Sequence, residues 1–399
     1  MNEHGVVPPG EAAAHARGRN PGIDLLRGLS IVLVVVHHTA LRIPLEKSVL
    51  ADWLPERFLD GIQYNGFESV FLFFVISGFL ITSNSLARWG ALAAIDAKAF
   101  YWRRAARIVP CLVILVAVLC GLALAGVPHY TLEQPGQTLL RAALAALGLH
   151  INVYEANTGY LPASWDVLWS LSIEEAFYLA FPLVCLLLGR TRLLVPALLL
   201  LALSIPVVRA SIHHNEIWSE TNYLQGMAAI ATGVLAALLV RRWPTARPST
   251  VRWTTGLGVV ALAAVYFAGT ELWRSLHYAY MLDFTFGAAA LVIAARWRAA
   301  APDAAPPSRA FGCLRSFGRL SYEVYLTHMF VVWLVVDRFT AAGGDLRTGW
   351  IWYPTILAGA WALGWVVARV VSNPLERLLL RPRASRADAP ATPMKEASA

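Results

Sequence analysis

Hydrophobic residues run along this chain in long blocks, cut at intervals by short polar or basic connections. The blocks fall at about 24–44, 66–86, 105–127, 168–188, 193–210, 222–240, 253–270, 277–295, 317–337 and 350–372. Each approaches or exceeds the roughly 20 apolar residues that cross a bilayer as a helix. No run of short alternating strands appears, as a β-barrel would need. One further block, 138–151 (TLLRAALAALGLHI), is apolar but too short, and its pattern predicts an interfacial or re-entrant helix. The predicted fold is therefore an all-α polytopic membrane protein of about ten transmembrane helices.

Composition agrees: 57% of the 399 residues are hydrophobic and 15% are charged, against about 25% charged in an ordinary soluble domain. The net charge of +8 does not point to nucleic acid, because the basic residues sit between the spans. Counting them fixes the orientation. One set of connections carries Arg17 and Arg19, then Arg88 through Arg107, Arg190 and Arg192, Arg241 through Arg252, Arg296 through Arg319, and the tail from Arg377. The other set carries single residues such as Arg42, Arg57, Arg141, Arg274 and Arg338, fewer than half as many. The positive-inside rule then places both termini in the cytoplasm. Domain organisation follows: a flexible cytoplasmic N-terminus at 1–22, a transmembrane domain at 23–378, and a disordered cytoplasmic tail at 379–399. Cys111, Cys120, Cys185 and Cys313 show neither disulfide nor zinc spacing and read as packing residues. No metal site is expected.

Polar residues inside the apolar blocks carry the candidate chemistry, since an ionisable group there is costly and functional by default. In DLLRGLSIVLVVVHHTA (Asp24 to Ala40), Arg27 precedes His38 by 11 residues, about 16 Å of helical rise. Adjacent His37 and His38 point about 100° apart, so the two cannot serve one site. In FYWRRAARIVP (Phe100 to Pro110), Arg104 and Arg107 are three residues apart and share a helix face. That pair is either ordinary positive-inside anchoring or a guanidinium clamp for phosphates. In WSLSIEEAFYLAFPL, Glu174 and Glu175 open a span, where one carboxylate could cap the helix and the other polarise an imidazole. Ser77 lies within FLFFVISGFLIT, and Tyr325 and His328, three apart, share a face of SYEVYLTHMFVV. The aromatic stretch 152–169 presents Trp165 and Trp169, which are either belt anchors or stacking surfaces. The pair His213–His214 reads as solvated in a polar outer loop.

Taken in this order, these segments resemble the acyltransferase-3 family of integral membrane acyltransferases. The likeness rests on Leu26-Arg27-Gly28 with His38 ten residues beyond, FFVISGFLI, Arg104-x-x-Arg107-Ile-x-Pro110, SLSIEEAFYLAFPL, SYEVYLTHMFVV and the NPLER at 373–377. It covers about 22–378. The resemblance implies transfer of an acyl group, commonly acetyl, from acyl-coenzyme A to a hydroxyl of a sugar, glycan or similar acceptor. His38 would match the family's essential histidine, Arg27 its partner, Arg104 and Arg107 the coenzyme-linked arginines, and Glu174 the family's acidic residue. Ser77, Trp165, Trp169, Tyr325 and His328 are expected on the substrate side. One departure stands out: the family often has an Asp two residues before the Phe-Phe, and Phe71 occupies that place, with Glu68 a turn earlier. The expected partners are acyl-coenzyme A, a hydroxyl acceptor and membrane lipid, in a bacterial inner membrane. The competing readings from the residues alone are a proton-coupled transporter or flippase using Arg27, His38 and Glu174 as a relay, and a glycosyltransferase with a lipid-linked donor.

Overall fold

A computed structural model describes residues 19–380, apart from 213, 214, 303 and 305. The expectations for residues 1–18, for the His213–His214 pair and for the tail from 381 lie outside the described residues. Among the described residues the structure is helical, with no strand.

Local chemistry sets where the helices begin. Asn20 accepts from the backbone N–H groups of Gly22 and Ile23 and Pro21 opens the first turn, starting α1 (Pro21–Ala40). Helix α2 (Gly66–Trp89) ends at Gly90, which takes the positive φ that a C-terminal cap requires. Asp96 caps α3 (Ala97–Leu124), and α4 (Trp169–Leu188) follows the outer stretch. After α5 (Leu194–Leu203), Asn222 caps α6 (Tyr223–Arg242). The pair α7 (Pro248–Leu276) and α8 (Tyr280–Ala299) turns back through His277, which sits at φ 49°. Last come the short α9 (Gly312–Arg319), then α10 (Ser321–Ala341) and α11 (Trp352–Val367).

Eight stretches among the described residues are long and apolar enough to cross a membrane. One of them, Pro248–Ala299, is folded as the two helices α7 and α8 packed on each other. The apolar α5 is too short to count by length. The 138–151 block forms a nine-residue helix, Leu139–Leu147, turning through Leu149 at φ 59° into a second short helix, Ile151–Thr158. Together with residues 41–64 these segments cover the end of the bundle away from the arginine-rich connections, referred to below as the far end.

Helices α1, α2, α6 and α10 form the centre of the bundle, with the other spans around them. Two crossings are so close that only glycine fits. A Cβ on Gly28 would lie 1.9 Å from the Leu314 carbonyl oxygen, and one on Gly318 would lie 1.8 Å from that of Asp24. This contact of α1 with α9 fixes Arg27 relative to the start of α10. The α2–α6 crossing repeats the device, Gly78 meeting the Ile230 carbonyl and Gly233 that of Val75, each at 1.9 Å. Small residues at such crossings let backbones approach where no hydrophobic effect drives helices together.

Replacing Gly318 by Leu should therefore abolish a monodisperse folded peak in detergent size-exclusion chromatography. Gly256→Ala, at a site where a Cβ meets nothing within 4 Å, should elute and melt as the parent does. Normal folding of Gly318→Leu would contradict the crossing.

Candidate active site

Between α1, α2, α3, α4 and α10 lies a cavity of about 150 Å³. Helical periodicity explains its lining on α2: Phe73, Ser77, Leu80 and Asn84 follow one another at four-, three- and four-residue intervals and so share a face. Arg27 enters from α1, Arg104 and Arg107 from α3, Ser170, Glu174 and Tyr178 from α4, and Ser321, Tyr322 and Tyr325 from α10.

The polar groups are cross-linked. The Arg27 guanidinium donates to the Ser321 hydroxyl through Nε (3.0 Å) and Nη2 (2.7 Å). Arg104 Nη2 lies 2.8 Å from Glu175 Oε1 and 3.8 Å from Glu174 Oε1, and the guanidinium stacks 3.7 Å above the Tyr178 ring. Glu174 Oε1 also accepts from Ser77 Oγ and from the Tyr178 hydroxyl, both at 2.5 Å. The Tyr178 ring and hydroxyl thus hold both members of the ion pair, at the i+4 position from Glu174. Arg104 Nε is buried with no partner among the described residues. Arg107, exposed and on the cavity wall, makes no ion pair there. Three guanidiniums against the two carboxylates of Glu174 and Glu175 leave the site with an excess positive charge, suited to phosphate.

At its far side the cavity meets Tyr325. The Tyr325 hydroxyl accepts from Ser170 Oγ (2.7 Å) and donates to the Val167 carbonyl (2.9 Å). Its ring centroid is 6.0 Å from that of His328, which in turn is 5.1 Å from that of His38. His328 is fully buried, and its Nδ1 lies 2.8 Å from the Tyr325 carbonyl, so Nδ1 carries the hydrogen and Nε2 is left with a free lone pair. His38 Nδ1 is likewise buried without a partner among the described residues. His37 turns away as the 100° rule requires, its ring against Gly66.

The structure thus gathers Arg27, Ser77, Arg104, Arg107, Glu174 and Tyr325 around one cavity, with His328 and His38 packed as tilted rings behind Tyr325. Two expectations are corrected. No hydrogen bond or ion pair among the described residues joins Glu174 to His38, because the carboxylate is already occupied by Ser77, Tyr178 and Arg104; the imidazole that faces His38 is His328. Trp165 and Trp169 present no open stacking face. Trp165 is fully buried because its loop folds inward as a turn, Ala163–Asp166, and Trp169 packs against Phe67 and Phe74. Sequence reasoning passed over Tyr178, Glu175 as the partner of Arg104, Asn84 and Arg42. Asn84, seven residues after Ser77, was the polar residue that periodicity could have flagged. Arg42 lies four residues beyond His38; its Nη1 donates to the His38 carbonyl (2.8 Å) and its guanidinium stacks 4.3 Å over Trp333.

A family model described as an acyltransferase domain, that of the acyltransferase-3 family, matches residues 20–369. The chain belongs to the acyltransferase-3 family. Among curated proteins it is similar to the O-acetyltransferase OatA of Staphylococcus aureus, 31% identical over 175 residues, which are 41% of this chain and 24% of that protein. It is also similar to the peptidoglycan O-acetyltransferase OatA of Listeria monocytogenes, 28% identical over 170 residues, 42% of this chain and 24% of that protein. These matches span about a quarter of the relatives' length. No solved structure matches the chain. Family membership and the long apolar helices together make this an integral membrane protein.

The cap at the far end carries charge-sensitive groups, Glu155 among them. Glu155 is fully buried, and its Oε1 accepts from the Leu161 N–H at 3.0 Å. Burial first, then the neighbouring Asp166 carboxylate, pushes its carboxyl well above the ordinary carboxylate range. A raised carboxyl favours the fold while protonated, so that contribution is present at low pH and is lost as pH climbs through the folded-state value. Glu155→Gln should therefore melt a few degrees above the parent at about pH 9 and alongside it at about pH 5, read by thermal unfolding in detergent. A penalty that is equal at both pH values would contradict a neutral Glu155.

Proposed function

We propose that this protein is a membrane O-acyltransferase that moves an acyl group, acetyl in the simplest case, from acyl-coenzyme A to a hydroxyl of a sugar or glycan. The single observation that carries the reading is the arginine-lined cavity bounded by Tyr325, with the His328 and His38 rings packed behind that tyrosine. The relatives' names, O-acetyltransferase and peptidoglycan O-acetyltransferase, support acetyl and a glycan as donor group and acceptor. The proposed topology is ten passes, counting α5 with its continuation to residue 210 and counting α7 and α8 separately. Both termini then face the cytoplasm of a bacterial inner membrane, in keeping with the arginine-rich connections.

In this reading Arg107 and the free Nε of Arg104 take the phosphates of the coenzyme at the cytoplasmic side, and Arg27 lines the path inward. About 16 Å of α1 separates Arg27 from His38, a span suited to an extended thioester-bearing arm. His38 removes the proton from the acceptor hydroxyl as its oxygen attacks the thioester carbonyl. A C–O bond forms, the C–S bond breaks, and the proton passes from His38 to the departing thiolate. His328, with its Nδ1 hydrogen held by the Tyr325 carbonyl, leaves a lone pair in this region and packs its ring beside that of His38. Glu174 and Glu175 hold Arg104 in place and touch no reacting atom.

In nanodiscs with radiolabelled acetyl-coenzyme A and bacterial glycans, His38→Ala should lower turnover by roughly 10²–10⁴-fold. Arg107→Ala should instead raise the KM for the coenzyme by about 10–100-fold with a smaller change in kcat. Authentic product at parental rate from His38→Ala would overturn the assignment.

A further inference from the structure

A second, larger cleft opens at the far end of the bundle, with a volume of about 550 Å³. Its walls are the stretch Tyr64–Glu68 leading into α2, the last turns of α7, and Tyr280 at the start of α8. Helix α7 is broken beside the cleft: Ala268 leaves helical geometry (φ −133°, ψ 29°), and residues on both sides of the break line the cleft. Gly269, next to the break, lines the cleft, and a Cβ there would meet no atom within 4 Å.

Two features define what this cleft can hold. The first is its aromatic surface, formed by Tyr64, Tyr266, Phe267, Trp273 and Tyr280. Trp273 is 40% exposed and is held upright by edge contacts from Tyr278 (4.8 Å) and Tyr280 (6.1 Å). The second is its balanced polar set. Arg57 is tied to Glu271 at 2.8 Å, and Glu68 accepts one hydrogen bond from the Tyr280 hydroxyl (3.3 Å), leaving most of its acceptor capacity open. Asp60 and Arg274 complete the charges. With Arg57 and Arg274 on the lining and Arg209 over the Tyr280 ring against three carboxylates, the cleft has no excess of cations, which disfavours a phosphate or a phospholipid headgroup. Flat aromatic faces with acceptor carboxylates between them suit an uncharged polyhydroxylated ring.

The wall of the cleft also packs against α1 at His37. Its stretch Asn65–Glu68 contains Gly66, where a Cβ would lie 2.5 Å from the His37 ring, so only glycine brings α2 this close to α1 at His37. Asn65 clamps the wall, donating to the carbonyls of Gly61 and Tyr266.

We propose that this cleft is a neutral-saccharide site that holds the glycan acceptor at the far end of the bundle, with Trp273 and Tyr64 as stacking faces and Glu68 as the hydroxyl acceptor. The inference rests on the acyltransferase reading for its purpose but not for its test. The full-length protein in nanodiscs is titrated with chitotetraose, cellotetraose and maltotetraose, and binding is followed by calorimetry without any acyl donor. Saturable binding of at least one tetrasaccharide is expected, weakened about tenfold by Trp273→Ala and abolished by Gly269→Trp, which puts an indole at a cleft-lining position where a Cβ meets no atom within 4 Å. Coenzyme A binding by both variants serves as the measure of folding. Absence of binding across the panel overturns the proposal, as does binding unchanged in folded Trp273→Ala and Gly269→Trp, or displacement of the sugar by phospholipid alone. Saccharide binding without any acyl transfer by the unmodified protein would uphold the cleft and overturn the acyltransferase reading instead.

Discussion

The ion pair of Arg104 with Glu174 and Glu175 constrains this structure more than any other contact. An unpaired charge inside an apolar bundle costs several kcal/mol, and breaking a buried pair strands its partner at a cost of roughly 3–5 kcal/mol. Satisfying Arg104 therefore dictates where three helices meet. Arg104 on α3 takes both carboxylates of α4, Tyr178 on α4 covers the guanidinium, and Ser77 on α2 completes Glu174. Once these are joined, Arg107 one turn away is left facing the cavity, in no ion pair among the described residues. The structural pair and the cavity-facing Arg107 are consequences of the same packing.

The same economy governs the other end of the cavity. Arg27 is fixed by Ser321 and by the glycine-to-carbonyl crossing at Gly28 and Gly318. That crossing sets the register of α1 against α9 and the adjoining start of α10, so that eleven residues later His38 arrives opposite His328. The guanidinium of Arg27 and the imidazole of His38 are thus held by one helix at a separation no loop could keep as rigidly. This is why a costly run of arginine and histidines persists in a membrane helix.

Much of this was legible in the sequence. The spans, the basic connections, the shared face of Arg104 and Arg107 and the divergence of His37 from His38 all follow from periods of 3.6 residues and from hydropathy. What was not legible depends on contacts between distant segments. Nothing local says that Arg104 is taken by Glu175, 71 residues away, or that His328 rather than Glu174 faces His38. The exposed look of Trp165 and Trp169 in an aromatic loop was misleading, because that loop folds into the bundle and its rings become core. The break at Ala268 had no signal beyond the neighbouring glycine, so the aromatic residues of α7 read as an ordinary span.

The central claim is that one cavity carries the donor from the arginines to the histidine stack. The most direct measurement is a cryo-electron microscopy structure with a non-hydrolysable thioether analogue of acetyl-coenzyme A bound. The account predicts phosphate density against Arg107 and Arg104, an extended arm past Arg27 and Tyr325, and the thioether sulfur beside His38 and His328. Ligand density outside this cavity, or a sulfur held at the arginine end, would contradict it.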